Sequence, residues 1–243
     1  MVDQHSVHSP FFFDFYNRVL KADSHKPGFD AIERTRDHLL KSELTIEVLD
    51  LGAGSKHIAG SQRKLADIAN TSLAPAPWAR FYHRICLHLE AKRVLELGTS
   101  LGLTTMYLAQ TPARVFTCEG SPAIADIAQT NFEHMGAANI SLLQGPLEET
   151  LDEFLQDPAK LDFVLMDANH RYQPTVHYFN RIMRRLSEKS IVAIDDIHQS
   201  TEMEKAWHEL KNHPVVYGSV DLFRCGLLFF DPALHRQHFV WNL

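Results

Sequence analysis

From about residue 92 the chain alternates short runs rich in valine, isoleucine, leucine and phenylalanine with longer segments whose apolar residues recur every three or four positions. The first pattern belongs to strands buried on both faces, the second to amphipathic helices packed on a sheet. Strands are predicted at 93–97, 114–118, 140–143, 161–166 and 190–194, with helical periodicity between them. Such alternation implies a parallel, doubly wound sheet. Beyond a helix near 202–211, the runs 215–220 and 222–230 lie too close together for a helical crossover, so they should pair antiparallel. The expected class is α/β, with a mostly parallel seven-stranded sheet, a C-terminal antiparallel strand pair and an N-terminal helical extension.

The first part of the chain is less regular. Two helices are predicted between 10 and 40, an aromatic one around Phe11, Phe12, Phe13, Phe15 and Tyr16 and a charged one from Phe29, with Pro27-Gly28 between them. A strand-like run at 45–51 meets Gly52-Ala53-Gly54-Ser55, and helices are expected at 61–70 and 77–89. The segment from His5 to Phe11 reads as an anchored chain end.

Composition narrows the partners. A hydrophobic fraction of 45% with 22% charged residues permits a large buried core. The formal charge of −6 argues against a nucleic-acid partner, whose phosphates require clustered lysine and arginine. Arg181, Arg184 and Arg185 read as a solvated helix face. Cys86, Cys118 and Cys225 form no CxxC pair and lie in apolar stretches, as buried thiols in a reducing compartment would. No apolar run approaches the roughly 18 residues of a membrane span, and no secretory h-region is visible, so no membrane partner and a cytoplasmic location are expected.

Ligands of open α/β sheets sit beyond the carboxyl ends of the strands. The turn after the first core strand is Glu96-Leu97-Gly98-Thr99-Ser100-Leu101-Gly102, where glycines allow close backbone approach and Glu96 could accept hydrogen bonds from a cationic amino-acid moiety. It is not the GxGxxG dinucleotide pattern. Glu119 closes the second strand, where a carboxylate suits a ribose with two free hydroxyls. After the third strand, Gly145, Leu147 and Glu148 could flank an adenine ring. The earlier Asp50-Leu51-Gly52-Ala53-Gly54 is locally similar but lacks a following strand that ends in an acid. It is read as a turn of the extension.

From about Lys92 onward this order of elements resembles the class I S-adenosylmethionine-dependent methyltransferases, a Rossmann-like family. The resemblance implies S-adenosylmethionine held by Glu96, Gly98, Thr99, Ser100, Gly102, Thr104, Glu119, Gly145, Leu147, Glu148 and Asp167. It also divides the chain into an extension covering the substrate, 1–91, and a methyltransferase core, 92–243. The fourth strand ends in Asp167-Ala168-Asn169-His170 and the fifth in Asp195-Asp196. Neighbouring strand ends lie about 5 Å apart, and crowded carboxylates call for a cation.

Here the likeness narrows to the catechol and macrolide-sugar O-methyltransferase branches. It implies a Mg²⁺ ion at Asp167, Asp195 and Asp196, with His170 and Asp167 catalytic and His170 as base. The catechol type has lysine at the base position and asparagine at that of Asp196. His198 is expected to be exposed or capping, and Tyr172 and Trp207 to pack between helices and sheet. The leading expectation is metal-assisted O-methylation of a small hydroxylated molecule. A metal-independent N- or protein methyltransferase, a nicotinamide-dependent oxidoreductase and a non-catalytic S-adenosylmethionine-binding module stay open, as does a homodimer.

Overall fold

The computed structural model describes residues 9–22, 27–48 and 61–243. Ten strands are found among these residues. Two of them, β1 (Thr45–Val48) and β2 (Ser61–Lys64), form a small antiparallel ribbon. The rest, β3 (Arg93–Leu97), β4 (Arg114–Glu119), β5 (Ile140–Gln144), β6 (Phe163–Met166), β7 (Ile191–Ile194), β8 (Gly218–Asp221), β9 (Gly226–Phe229) and β10 (Gln237–Val240), make one sheet in the order β10-β8-β9-β7-β6-β3-β4-β5. Within it β9 alone runs antiparallel to its neighbours, β7 and β8.

Three expectations change. The sheet has eight strands, because 237–240 adds to the edge parallel to β8. Residues 61–64 are a strand, since their backbone pairs with 45–48, and helix α3 begins only at Leu65. The charged helix begins at Pro27, where the fixed φ of proline suits a first helical position. The glycine segment 52–55 and residues 5–8 lie outside the described residues.

Nine α-helices are described: α1 (Pro10–Phe15), which continues through a π-helical turn over Tyr16–Leu20, α2 (Pro27–Leu40), α3 (Leu65–Ser72), α4 (Ala76–His88), α5 (Leu103–Leu108), α6 (Pro122–His134), α7 (Leu147–Phe154), α8 (Tyr172–Ile182) and α9 (Thr201–Lys211). Strand alternation divides the core into two layers. Val94, Val115, Phe163, Leu165 and Ile191 face α1 and α4, where they meet Phe12, Phe15, Phe81 and Tyr82. Leu95, Leu97, Val164, Val192 and Leu228 face α7, α8 and α9. The aromatic run at the N-terminus therefore forms part of the central core, with Phe12 fully buried against Phe229, Phe239 and Trp241.

The three cysteines are buried and free. Trp207 packs as expected and donates from its indole nitrogen to Asp221, whereas Tyr172 lies between α8 and α9 with its hydroxyl on Glu209. No helix among the described residues is long and apolar enough to cross a membrane.

Candidate functional site

Parallel strands deliver all their carboxyl ends to one edge of the sheet. Along that edge lies a cleft of about 1090 Å³. The loop from Gly98 to Gly102 crosses its middle. The ends of β4 and β5 stand on one side and those of β6 and β7 on the other.

Gly98 adopts φ +99°, and a Cβ there would stand 2.1 Å from the carbonyl oxygen of Asp167. Only glycine lets the loop pass so close to the end of β6, where the Asp167 N–H donates to the Leu97 carbonyl at 2.9 Å. On the next strand Glu119 is tied to this loop. Its carboxylate accepts from the backbone N–H groups of Ser100 and Ser121, both at 2.9 Å. Burial raises Glu119 above the usual carboxylate range, against the lowering effect of those backbone donors. Beside it, the Ser121 hydroxyl is buried without a hydrogen-bond partner among the described residues. An acceptor carboxylate next to an unpaired hydroxyl fits a polyhydroxylated group such as a ribose. Leu147, Glu148, Gly120 and Ile124 complete this side of the cleft.

Glu96 behaves differently from the expectation. It does not line the cleft but lies beneath it, 1% exposed. Alternation along β3 turns it to the same face as Val94, and the register sets it opposite Thr117. Its Oε2 accepts from the hydroxyls of Thr117 at 2.6 Å and of Thr105 on α5 at 2.5 Å. Burial pushes its carboxyl up to about 8 despite these two donors. Four further residues expected at the cofactor also lie off the cleft wall. Thr99 is buried on the Thr117 hydroxyl, and Gly102 is hemmed in by the Phe132 ring, which a Cβ would approach to 2.5 Å. Thr104 lies within α5, and Gly145, at φ +139°, turns the chain from β5 into α7. Gly98, Ser100, Glu119, Leu147, Glu148 and Asp167 do line it.

At the other end of the cleft, a tight turn carries His170 back over Asp167. Asn169 and His170 adopt φ of +63° and +26°, a region costly for side-chain-bearing residues, and the His170 N–H donates to the Ala168 carbonyl at 2.9 Å. His170 Nε2 then lies 3.3 Å from Asp167 Oδ1. Burial raises Asp167, opposed by the His170 contact and reinforced by Asp195. Burial opposes the charged His170 ring, but the carboxylates of Asp167, Asp196 and Asp195 outweigh it, and its net direction is upward.

The expected metal ligands do not converge on a gap. Asp195 is fully buried, and its oxygens are already taken. Tyr82 donates to Oδ1 at 3.0 Å, Arg224 donates from Nη2 to Oδ2 at 2.7 Å, and its Nε lies 3.2 Å from both oxygens. The same guanidinium lies 3.8 Å from Asp196. Because a cation from the chain already occupies the carboxylates of β7, they do not fit a divalent ion in this arrangement. No group of three or more histidine, cysteine or acidic side chains among the described residues is placed to hold one. Arg224 reaches the cleft from the β8–β9 hairpin, and nothing in its local sequence marks it for the site. His198 is exposed, with Nε2 2.9 Å from Asp221 and Nδ1 3.5 Å from Glu204.

The roof also comes from outside the core strands. Arg63, Thr71, Ser72 and Leu73 line the cleft, and the Ser72 and Ser100 hydroxyls lie 2.7 Å apart, joining the end of α3 to the glycine loop.

A family model described as a methyltransferase domain matches residues 95–197, the segment that runs from β3 through β7 and supplies the cleft floor. The catechol O-methyltransferase of Mycobacterium tuberculosis is 30% identical over 113 residues, 45% of this chain and 50% of that protein. The catechol O-methyltransferase of Niastella koreensis is 23% identical over 175 residues, 70% of this chain and 77% of that protein. The chain thus spans half the length of the first relative. The crystal structure of an O-methyltransferase from Bacillus cereus in complex with SAH has the same fold, with a TM-score of 0.62 at 15% identity over 89% of this chain and 96% of that one. The domain match, the curated relatives and the sheet order agree: residues 95–197 match a methyltransferase domain, and the chain is similar to S-adenosylmethionine-dependent O-methyltransferases and shares their class I fold.

Proposed function

We propose that this chain methylates a hydroxyl of a small molecule, using S-adenosylmethionine. The observation that carries the reading is the two-ended cleft, with a carboxylate and an unpaired hydroxyl at the end of β4 and a histidine held on a carboxylate at the end of β6. S-adenosylmethionine, when bound, supplies an electrophilic methyl group. Glu119 would accept from its ribose hydroxyls, Leu147 would offer an apolar surface to its adenine, and Asp167 and the Gly98 backbone would border its amino-acid end.

His170 removes the acceptor proton, and Asp167 holds the ring in place and favours the protonated ring once the proton has moved. No covalent enzyme intermediate is needed, so the protein contributes orientation, exclusion of water and a proton acceptor. The residues from β2 and the end of α3 would cover the acceptor, in keeping with a substrate-covering role for the segment before residue 92.

Titration calorimetry with S-adenosylmethionine and with NAD, followed by methyl-transfer assays over phenols, sugars and amines, tests the reading. Expected are binding of S-adenosylmethionine, methyl ethers as products, and loss of turnover with retained cofactor binding in His170→Ala. Tight NAD binding with no response to S-adenosylmethionine would overturn it, as would methylation of amines alone.

A further inference from the structure

Arg224 raises a question that the proposed O-methylation leaves open: what compensates the carboxylates at the end of β7 and faces the acceptor oxygen. We infer that the Arg224 guanidinium does both, standing where a divalent ion would otherwise bind, so that this chain works with a built-in cation and recruits no metal. The inference rests on the O-methyltransferase reading for its chemistry, but not for its geometry.

The hairpin backbone is built to aim this side chain inward. The Leu222 N–H donates to the Cys225 carbonyl at 2.9 Å, and the Arg224 N–H to the Leu222 carbonyl at 2.8 Å. Phe223 is held at φ +66° and left 54% exposed, a costly backbone state for a bulky residue that turns the next residue toward the cleft. The Arg224 carbonyl in turn accepts from the Ile197 N–H at 3.0 Å, locking the hairpin tip to the loop after β7.

The guanidinium spends Nε and Nη2 on Asp195. Its Nη1 makes no hydrogen bond among the described residues, and the residue lines the cleft with His170 and Asp196. A guanidinium stays protonated at any working pH and presents its donors in a fixed plane. A divalent ion at Asp195 would have to displace it or sit beside a like charge. With Asp195 neutralised, Nη1 can donate to an acceptor oxygen and stabilise the charge that develops there. The acceptor O–H bond breaks with its proton passing to His170. The O–C bond forms as the methyl–sulfur bond breaks, and that electron pair stays on sulfur. Both N–H groups of Nη1 lie on one nitrogen and can hold a single oxygen, so the acceptor needs no second, vicinal oxygen of the kind a chelated ion would select.

Mn²⁺ binding, read by electron paramagnetic resonance with saturating SAH, tests the inference without knowledge of the acceptor. Wild type should leave millimolar Mn²⁺ free, Arg224→Met should bind it at least tenfold more tightly, and Arg224→Lys should again exclude it. Wild-type turnover of a monohydroxylated acceptor should be unchanged in chelator. Arg224→Met should lower kcat at least tenfold, with S-adenosylmethionine affinity within about twofold of wild type.

Should Arg224→Met fail to fold by circular dichroism, Asp195→Asn/Arg224→Met removes the ion pair as a unit, and the loss of kcat is read there. Stoichiometric Mn²⁺ on wild type, or turnover abolished by chelator, overturns the inference. If S-adenosylmethionine binds but no acceptor is methylated, the functional reading fails, while the wild-type Mn²⁺ titration still decides the place of Arg224.

Discussion

Replacing Glu96 by glutamine should make the protein's stability much less dependent on pH. The side chain is 1% exposed, and its carboxyl is pushed from 4.5 up to about 8, chiefly by burial. A carboxyl raised in the folded state makes folding cheapest where it is protonated in both states, below its unfolded value. As pH rises from there toward 8 the unfolded chain ionises while the folded chain does not, so stability falls. At about 1.4 kcal/mol per pH unit the full effect is about 5 kcal/mol, of which about 3–4 kcal/mol accrues between pH 5 and pH 8. Glutamine mimics the protonated acid, and its carbonyl oxygen can still accept from Thr105 and Thr117.

Urea denaturation of wild type and Glu96→Gln at pH 5, 6, 7 and 8 isolates this residue, because the groups shared by the two proteins cancel in the difference. Glutamine should gain on glutamate by about 3–4 kcal/mol across the range. A difference constant to within about 1 kcal/mol would mean that Glu96 ionises normally inside the fold, and the account of its burial would be wrong.

Gly98→Ala should destabilise by about 2–4 kcal/mol and weaken S-adenosylmethionine binding, because the new Cβ meets the Asp167 carbonyl at 2.1 Å; unchanged melting and affinity would refute the close approach. Glu119→Gln should cost roughly tenfold to a hundredfold in S-adenosylmethionine affinity by calorimetry, the worth of a charge-assisted hydrogen bond, and an unchanged Kd would remove Glu119 from the ribose. Phe12→Ala should lower stability by about 3–5 kcal/mol in denaturant, since its ring is fully buried; a loss under 1 kcal/mol would mean that α1 is not part of the core.

Much of the architecture is legible along the chain because the signals are local. Two-sided burial writes β3, β4, β6 and β7 as apolar runs, and the glycine loop and Glu119 follow from strand ends that parallel topology must bring to one edge. The antiparallel pair is readable because 215–220 and 222–230 leave no room for a crossover. The β2 strand is not, since Ser61–Lys64 is exposed throughout and becomes a strand only by pairing with β1.

At the site, sequence supplies which residue types stand at the strand ends, and tertiary structure decides what each is bonded to. Glu96 reads as a ligand for the cofactor, but alternation and the register with Thr117 turn it under the loop. Asp195 and Asp196 read as a pair awaiting a cation, and the chain supplies that cation from Arg224, 29 residues on and across a hairpin. Local pattern fixes which face and which end a residue occupies; the partner that neutralises a buried charge comes from another element, and only the folded sheet brings the two together.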